Sequence, residues 1–343
     1  MQKGKILFIG GSLNQTTMMH KISKYFNEYD CYFTPFFTDG SLDILVKNGF
    51  LDFTILAGKF KEQTDNYLLQ HNLKVDYKGK KQMYDLFFTC QDILIPESIK
   101  NKRIVLVQEG MTDPENLMFH LVKNLKIPRW LASTAATGLS DNYDLFFVAS
   151  EGYKNLFIKK GVDPYKLKVT GIPNFDNCKE FLHNNFPYKN FVLVATSDRR
   201  ETLNFENRIK FIKKAQKIAN GRQLIFKLHP NENFERATSE IKKIIPEAIV
   251  FTEGKIEYMI ANCDVLITKY SSVVYVGLSL GKEVYSGFDI KLLKELSPIQ
   301  NNGQSAEIIA KITKRYMELD NYRNKTKSKT TSISNEYSYN HSN

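Results

Sequence analysis

Residues 223–233 read QLIFKLHPNEN, and residues 251–286 read FTEGKIEYMIANCDVLITKYSSVVYVGLSLGKEVYS. Two short apolar runs in these stretches end abruptly in polar residues. Leu224–Leu228 stops at His229-Pro230, and Val265–Thr268 stops at Lys269-Tyr270-Ser271-Ser272. A helix-like segment, Val273–Leu280, follows the second run and is closed by Gly281-Lys282. Short β-rich runs alternating with longer helical patterns predict a parallel sheet covered by helices. In such sheets ligands bind beyond the carboxyl ends of the strands. Pro230 favours extended geometry at His229 and removes a backbone donor, which ends the strand. Lys227 and His229 lie two residues apart and so share one strand face. An imidazole there can donate to a phosphate oxygen or move a proton. Ser271 or Ser272 could cap the next helix, and free backbone N–H groups beside them suit an anion. Taken singly, His-Pro is an ordinary turn and Ser-Ser an ordinary cap. Two such strand ends within one α/β half point to a bound phosphate.

The segments KLHP (227–230) and ANCDVLITKYSSVVYVGLSLGKEVYS (261–286) resemble the HP and SS motifs of inverting GT-B transferases. That group includes CDP-glycerol glycerophosphotransferases, bacterial sialyltransferases and β-Kdo transferases of capsule synthesis. The resemblance implies that His229, Ser271 and Ser272 contact the donor's phosphate. It implies a GT-B fold of class α/β, two Rossmann-like domains with a cleft between them. One position departs from the pattern: glycerophosphotransferases carry an aspartate before Tyr-Ser-Ser, and Lys269 stands here instead, adding positive charge beside the expected phosphate.

The chain has 343 residues, enough for two ordinary domains, and 42% hydrophobic residues. A mean hydropathy of −0.35 fits a globular protein. The net charge of +11 suits phosphorylated substrates or an anionic membrane surface. No zinc spacing, RNP-like motif or basic recognition helix supports nucleic acid as a partner. Cys31, Cys90, Cys178 and Cys263 are scattered. They read as reduced thiols in a cytoplasmic protein, with peripheral membrane contact as an option. The opening MQKGKILFIGG is basic and then apolar, but its apolar part is too short for a signal peptide. No run of eighteen apolar residues predicts a membrane span.

In chain order, Lys5–Ile9 reads as a first buried strand, followed by Gly10-Gly11-Ser12 and a helix from near Gln15. Glycines allow a tight turn and close approach of a ligand to backbone. In GT-B enzymes the equivalent loop faces the acceptor, and a plain strand-helix turn is the alternative. Cys31–Thr38 is aromatic and β-prone, and Leu51–Leu56 reads as a strand. Arg103–Val107 is a buried strand ending in Gln108-Glu109-Gly110, with Asp113-Pro114 just beyond. Sialyl and Kdo transferases of the HP/SS type carry an acidic-acidic-Gly motif in this half, and Gln108-Glu109-Gly110 resembles part of it. Inverting transfer needs a base for the acceptor hydroxyl. Glu109 is the candidate, with Asp113 in reserve. The alternative gives Glu109 and Asp113 turn and helix-start roles. Residues 115–125 read as a helix with Leu117, Leu121 and Leu125 along one apolar stripe.

The first domain spans residues 1–173 and holds the acceptor, and 174–188 form a linker. Residues 189–320 form the nucleotide-donor domain, and 321–343 read as a disordered polar tail. Phe191–Ala195 opens the second half and ends in a loop where Ser197 and Arg199 could meet phosphate. Ala248–Thr252 ends at Glu253-Gly254, and in GT-B enzymes backbone in this loop often recognises the base.

The function these residues and the resemblance predict is inverting transfer of a sugar from a nucleotide-activated donor to a glycan or lipid-linked acceptor. Donors built on CMP or CDP are preferred to UDP, and no cofactor or metal is expected because Asp-x-Asp is absent. The alternatives are CDP-glycerol transfer, a UDP-GlcNAc 2-epimerase, which the GT-R-P-like opening missing at Gly10–Asn14 disfavours, and a non-catalytic sugar-nucleotide-binding module.

Overall fold

The apolar runs that end in polar clusters are strands, and among the described residues every strand pairing is parallel. A computed structural model describes residues 3–39, 58–125, 127–197, 200–201 and 206–321. The expected strand at Leu51–Leu56, the phosphate candidate Arg199 and the tail from residue 322 lie outside the described residues.

The first sheet contains β1 (Lys5–Gly10), β2 (Asp30–Pro35), β3 (Leu86–Thr89), β4 (Ile104–Val107), β5 (Leu145–Val148) and β6 (Leu167–Val169), in the order β2-β1-β3-β4-β5-β6. The second contains β7 (Val192–Ala195), β8 (Leu224–Lys227), β9 (Ile249–Phe251), β10 (Val265–Thr268) and β11 (Glu283–Tyr285), in the order β11-β10-β7-β8-β9. The helices between them are α1 (Leu13–Ser23), α2 (Gly58–Gln70), α3 (Leu117–Leu125), α4 (Glu151–Lys160), α5 (Arg208–Ala219), α6 (Phe234–Ile244), α7 (Ile256–Asn262), α8 (Val274–Ser279) and α9 (Ile290–Leu296), with α10 over residues 305–321. Strands covered on both faces need continuous apolar sequence. LFFT in β3, IVLV in β4 and LFFV in β5 are buried at every position.

Strand order fixes where a ligand can sit. In the first sheet the winding reverses between β1 and β3, and in the second between β7 and β10. Loops at such reversals diverge and leave a crevice at the carboxyl edge. The loops after β1, β3, β7 and β10 therefore frame the two crevices.

The halves are joined by more than their linker. Tyr153 on α4 and Tyr275 on α8 bring their hydroxyls to 2.7 Å in a buried contact. Gly152 lies so close to α9 that an added Cβ would come within 2.1 Å of Glu295 O. Although α10 follows the second sheet, it returns to the first half, where Lys314 pairs with Glu28 at 2.6 Å and Asp320 pairs with Arg103 at 2.5 Å.

One expected face is reversed. On α3, Leu117 is 77% and Leu125 65% exposed, whereas Phe119 and Val122 are buried against the 3₁₀ segment Arg129–Ala136. Most of this helix is apolar, so the wider Phe119–Val122 line wins the interior and the leucine stripe does not.

Candidate functional site

Most of the residues lining one large cavity come from loops after strands. It encloses about 820 Å³. Asn14 and Gln15 reach it from just after β1, Glu109 and Asp113 from after β4, and Ser271 and Ser272 from after β10. The two halves meet closely here: a Cβ added to Gly110 would sit 3.6 Å from Ser272 Cβ, an ordinary contact. Phe36, Ile93, Leu94, Met111 and Trp130 form an apolar wall.

Glu109 is held by the start of the chain. Ser12 Oγ donates to its Oε1 at 2.9 Å, Asn14 Nδ2 to the same oxygen at 3.3 Å, and Gln15 Nε2 to Oε2 at 2.6 Å. This happens because Ser12 caps α1, accepting from Gln15 N–H at 3.2 Å, so the first turn of the helix faces β4. The helix thus begins at Leu13, slightly ahead of the sequence expectation. The preceding glycines are needed locally. A Cβ on Gly10 would come within 2.5 Å of Thr16 Oγ1, and Gly11 N–H donates to Gln15 Oε1 at 2.8 Å. Asp113 lines the same cavity but is pinned to the 3₁₀ segment, with Thr134 Oγ1 donating to its carboxylate at 2.7 Å.

On the opposite wall, Ser271 and Ser272 are half-buried in a turn before α8. Neither caps that helix. Val273 holds the cap position without a side-chain bond, and Ser271 Oγ only accepts from Val273 N–H at 3.5 Å. Both serines are therefore placed by the turn and not by capping. Lys269 stacks on Tyr270, its ammonium 5.8 Å from the ring centre, while Tyr270 and Phe288 close the cavity wall.

His229 follows β8, and Ser271 follows β10. Since β7 lies between them, strands β8 and β10 run about 10 Å apart, and the two residues follow at the same edge of the sheet. The cavity that takes in both serines does not take in His229. Asn231 N–H donates to His229 Nδ1 at 3.3 Å, which makes Nδ1 an accepting nitrogen of the ring. The His229 backbone is anchored on a buried ionic cluster. Its N–H donates to Glu232 Oε2 at 3.0 Å, Glu232 pairs with Arg208, and Arg208 Nε reaches Glu206 at 2.8 Å.

Three of the expected phosphate contacts are otherwise engaged. The Lys227 ammonium is buried and donates to Leu228 O at 2.8 Å and Thr252 O at 2.9 Å, tying β8 to the end of β9. Burial lowers its pKa from the usual lysine value. Ser197 is buried in the ionic cluster, donating to Glu206 at 3.4 Å and accepting from Arg208 at its carbonyl. Lys269, as described, lies on Tyr270. Glu253 and Gly254 are exposed beyond β9, with Gly254 at φ +94°, where a side chain would be strained.

No family model matches this sequence, and no curated protein sequence matches it. Solved structures do. The wall teichoic acid polymerase TagF, soaked with CDPG, aligns over 93% of this chain and 90% of its own, with TM-score 0.52 and 12% identity. The S. aureus MnaA–UDP co-structure aligns over 92% and 97%, with TM-score 0.56 and 14% identity. The UDP-GlcNAc 2-epimerase from Neisseria meningitidis bound to UDP-GlcNAc aligns over 91% and 100%, with TM-score 0.53 and 13% identity. The fold is GT-B. At these identities the likeness is one of architecture.

Within this GT-B frame, the residues missed by sequence reasoning are Gln15, Asn14 and the Arg208–Glu206–Glu232 cluster. Gln15 and Asn14 sit in the first turn of an unremarkable helix, and only the meeting of that turn with the loop after β4 gives them a role. Glu232, three residues beyond His229, carried the one available signal: an acidic residue beside a buried strand end needs a partner. Among the described residues no helix is long and apolar enough to cross a membrane.

Proposed function

We propose that this chain is an inverting transferase that moves a sugar from a nucleotide-activated donor to a glycan or lipid-linked acceptor in cell-surface polysaccharide synthesis. The observation that carries this reading is that Glu109 and the Ser271-Ser272 pair, from different halves, line one cavity at the carboxyl edges of both sheets. A transferase needs a base on the acceptor side and hydrogen-bond donors on the leaving-group side. The Glu109 carboxylate takes the proton of the acceptor hydroxyl. That oxygen bonds to the donor's anomeric carbon as the carbon–phosphate oxygen bond breaks on the opposite face. The serine hydroxyls and His229 Nε2 serve the departing nucleotide phosphate, after which Glu109 returns its proton to solvent. Trp130 at the apolar wall, in the 3₁₀ segment that packs against α3, is where an amphiphilic acceptor or an anionic membrane surface on the cytoplasmic side would meet the protein.

The likeness to TagF supports a second reading, transfer of glycerol phosphate from CDP-glycerol by the same residues, and the likeness to UDP-GlcNAc 2-epimerases supports a third. Nucleotide release from CDP-glycerol, CMP-sialic acid and UDP-GlcNAc, with product mass, separates them. Glu109→Gln is expected to lower kcat by about 10²–10⁴. Turnover by Glu109→Gln at the wild-type rate would remove Glu109 from the chemistry.

A further inference from the structure

The hydrogen bonds around Glu109 distinguish its two oxygens. A carboxylate offers about four acceptor positions, two on each oxygen. Among the described residues Oε1 accepts from both Ser12 and Asn14 and is filled, whereas Oε2 accepts only from Gln15. Each donor is itself held in place. Gln15 is 3% exposed, and its Oε1 accepts from Gly11 N–H at 2.8 Å, so its amide cannot flip and Nε2 must face Glu109. Asn14 Oδ1 accepts from Asn174 Nδ2 at 2.6 Å, which likewise turns the Asn14 Nδ2 toward Glu109. Asn174 lies just after β6, where the chain leaves the first sheet.

We infer that Gln15 is a positioning residue which, together with Ser12 and Asn14, leaves one open acceptor position on Glu109, at Oε2, and that this atom receives the acceptor proton. The inference rests on the reading of Glu109 as base. Filled positions on Oε1 remove the alternative approach, so the acceptor hydroxyl can meet the carboxylate in one orientation only. Fixed orientation of this kind raises the effective concentration of the base, and its loss lowers kcat more than binding.

The test is a double-mutant cycle with Gln15→Met, an apolar side chain of similar length, and Glu109→Gln. The assay is nucleotide release from CDP-glycerol, CMP-sialic acid and UDP-GlcNAc. Gln15→Met is expected to lower kcat about tenfold or more with donor KM within about twofold. Added to Glu109→Gln, it is expected to have no further effect, because a residue acting through Glu109 has nothing left to position. Full additivity would assign Gln15 a merely structural role and overturn the inference. Loss of activity in Glu109→Gln with wild-type kcat in Gln15→Met would overturn the inference alone, and wild-type kcat in Glu109→Gln would overturn the functional reading beneath it. A crystal structure of Gln15→Met, or of the isosteric Gln15→Glu should the first not fold, needs no substrate. Oε2 of Glu109, released from Gln15, is expected to shift from its wild-type position while Oε1 stays on Ser12 and Asn14, and an Oε2 unmoved in its place would contradict the inference.

Discussion

Gln108 accounts for the amide at the first position of the acidic-acidic-Gly pattern. Its Nε2 donates to Gly110 O at 2.7 Å and its Oε1 accepts from Ala149 N–H at 2.9 Å, with the side chain 1% exposed. A carboxylate can accept but not donate, so Gln108→Glu would orphan Gly110 O and bury a charge beside it. That substitution is expected to lower the unfolding free energy by about 2–3 kcal/mol in a denaturant titration. A second residue sets a pH dependence. Burial, with Lys24 and His71 nearby, pushes His20 down to about 4 from its usual 6.5, and its Nδ1 lies 2.9 Å from Tyr67 Oη. Between those values the unfolded chain binds the proton and the folded chain does not, so stability falls as pH falls through that window. The melting temperature of His20→Gln is expected to fall less than that of the wild type between pH 6.5 and 4. Sequence placed Glu109 and the serines at strand ends, because runs of apolar residues mark where strands stop. It could not place the tip of Lys227. Strand alternation gives the face of a side chain, but four flexible carbons decide which carbonyl its ammonium finds.

At the scale of elements, the strands of both sheets were legible because parallel strands buried on both faces leave unbroken apolar runs. Helix α3 was legible as a helix but not in its orientation, since leucines and a phenylalanine compete for the interior and periodicity alone does not rank them. The structure ranks them clearly. Phe119→Ala is expected to cost about 3–4 kcal/mol through the cavity it leaves, and Leu117→Ser less than about 0.5 kcal/mol. Equal losses from the two in urea titrations would mean that the leucine stripe is the buried face after all. The short helix α8 holds a related lesson. A cap was one reading of Ser271 and Ser272 in sequence; Val273 holds that position, and the turn before the helix carries the two serines into the cavity wall.

For the whole molecule, the defining feature is that two sheets present their carboxyl edges to one space. The seam at Tyr153–Tyr275 and Gly152–Glu295, and the return of α10 to the first half, set the separation of those edges. None of these contacts was visible in the sequence, since each joins residues far apart in the chain through shape and not through pattern. They bring Gly110 against Ser272, and with that contact the candidate base and the candidate phosphate donors face the same cavity. The most direct test of this arrangement is calorimetric titration of CMP, CDP and UDP into the wild type and into the Ser271→Ala/Ser272→Ala double variant. At least one nucleotide is expected to bind the wild type, with Kd rising about tenfold or more in the variant, the equivalent of about 1.4 kcal/mol of lost hydrogen bonding. Equal affinity in the two proteins, or no binding of any of the three nucleotides, would contradict the account.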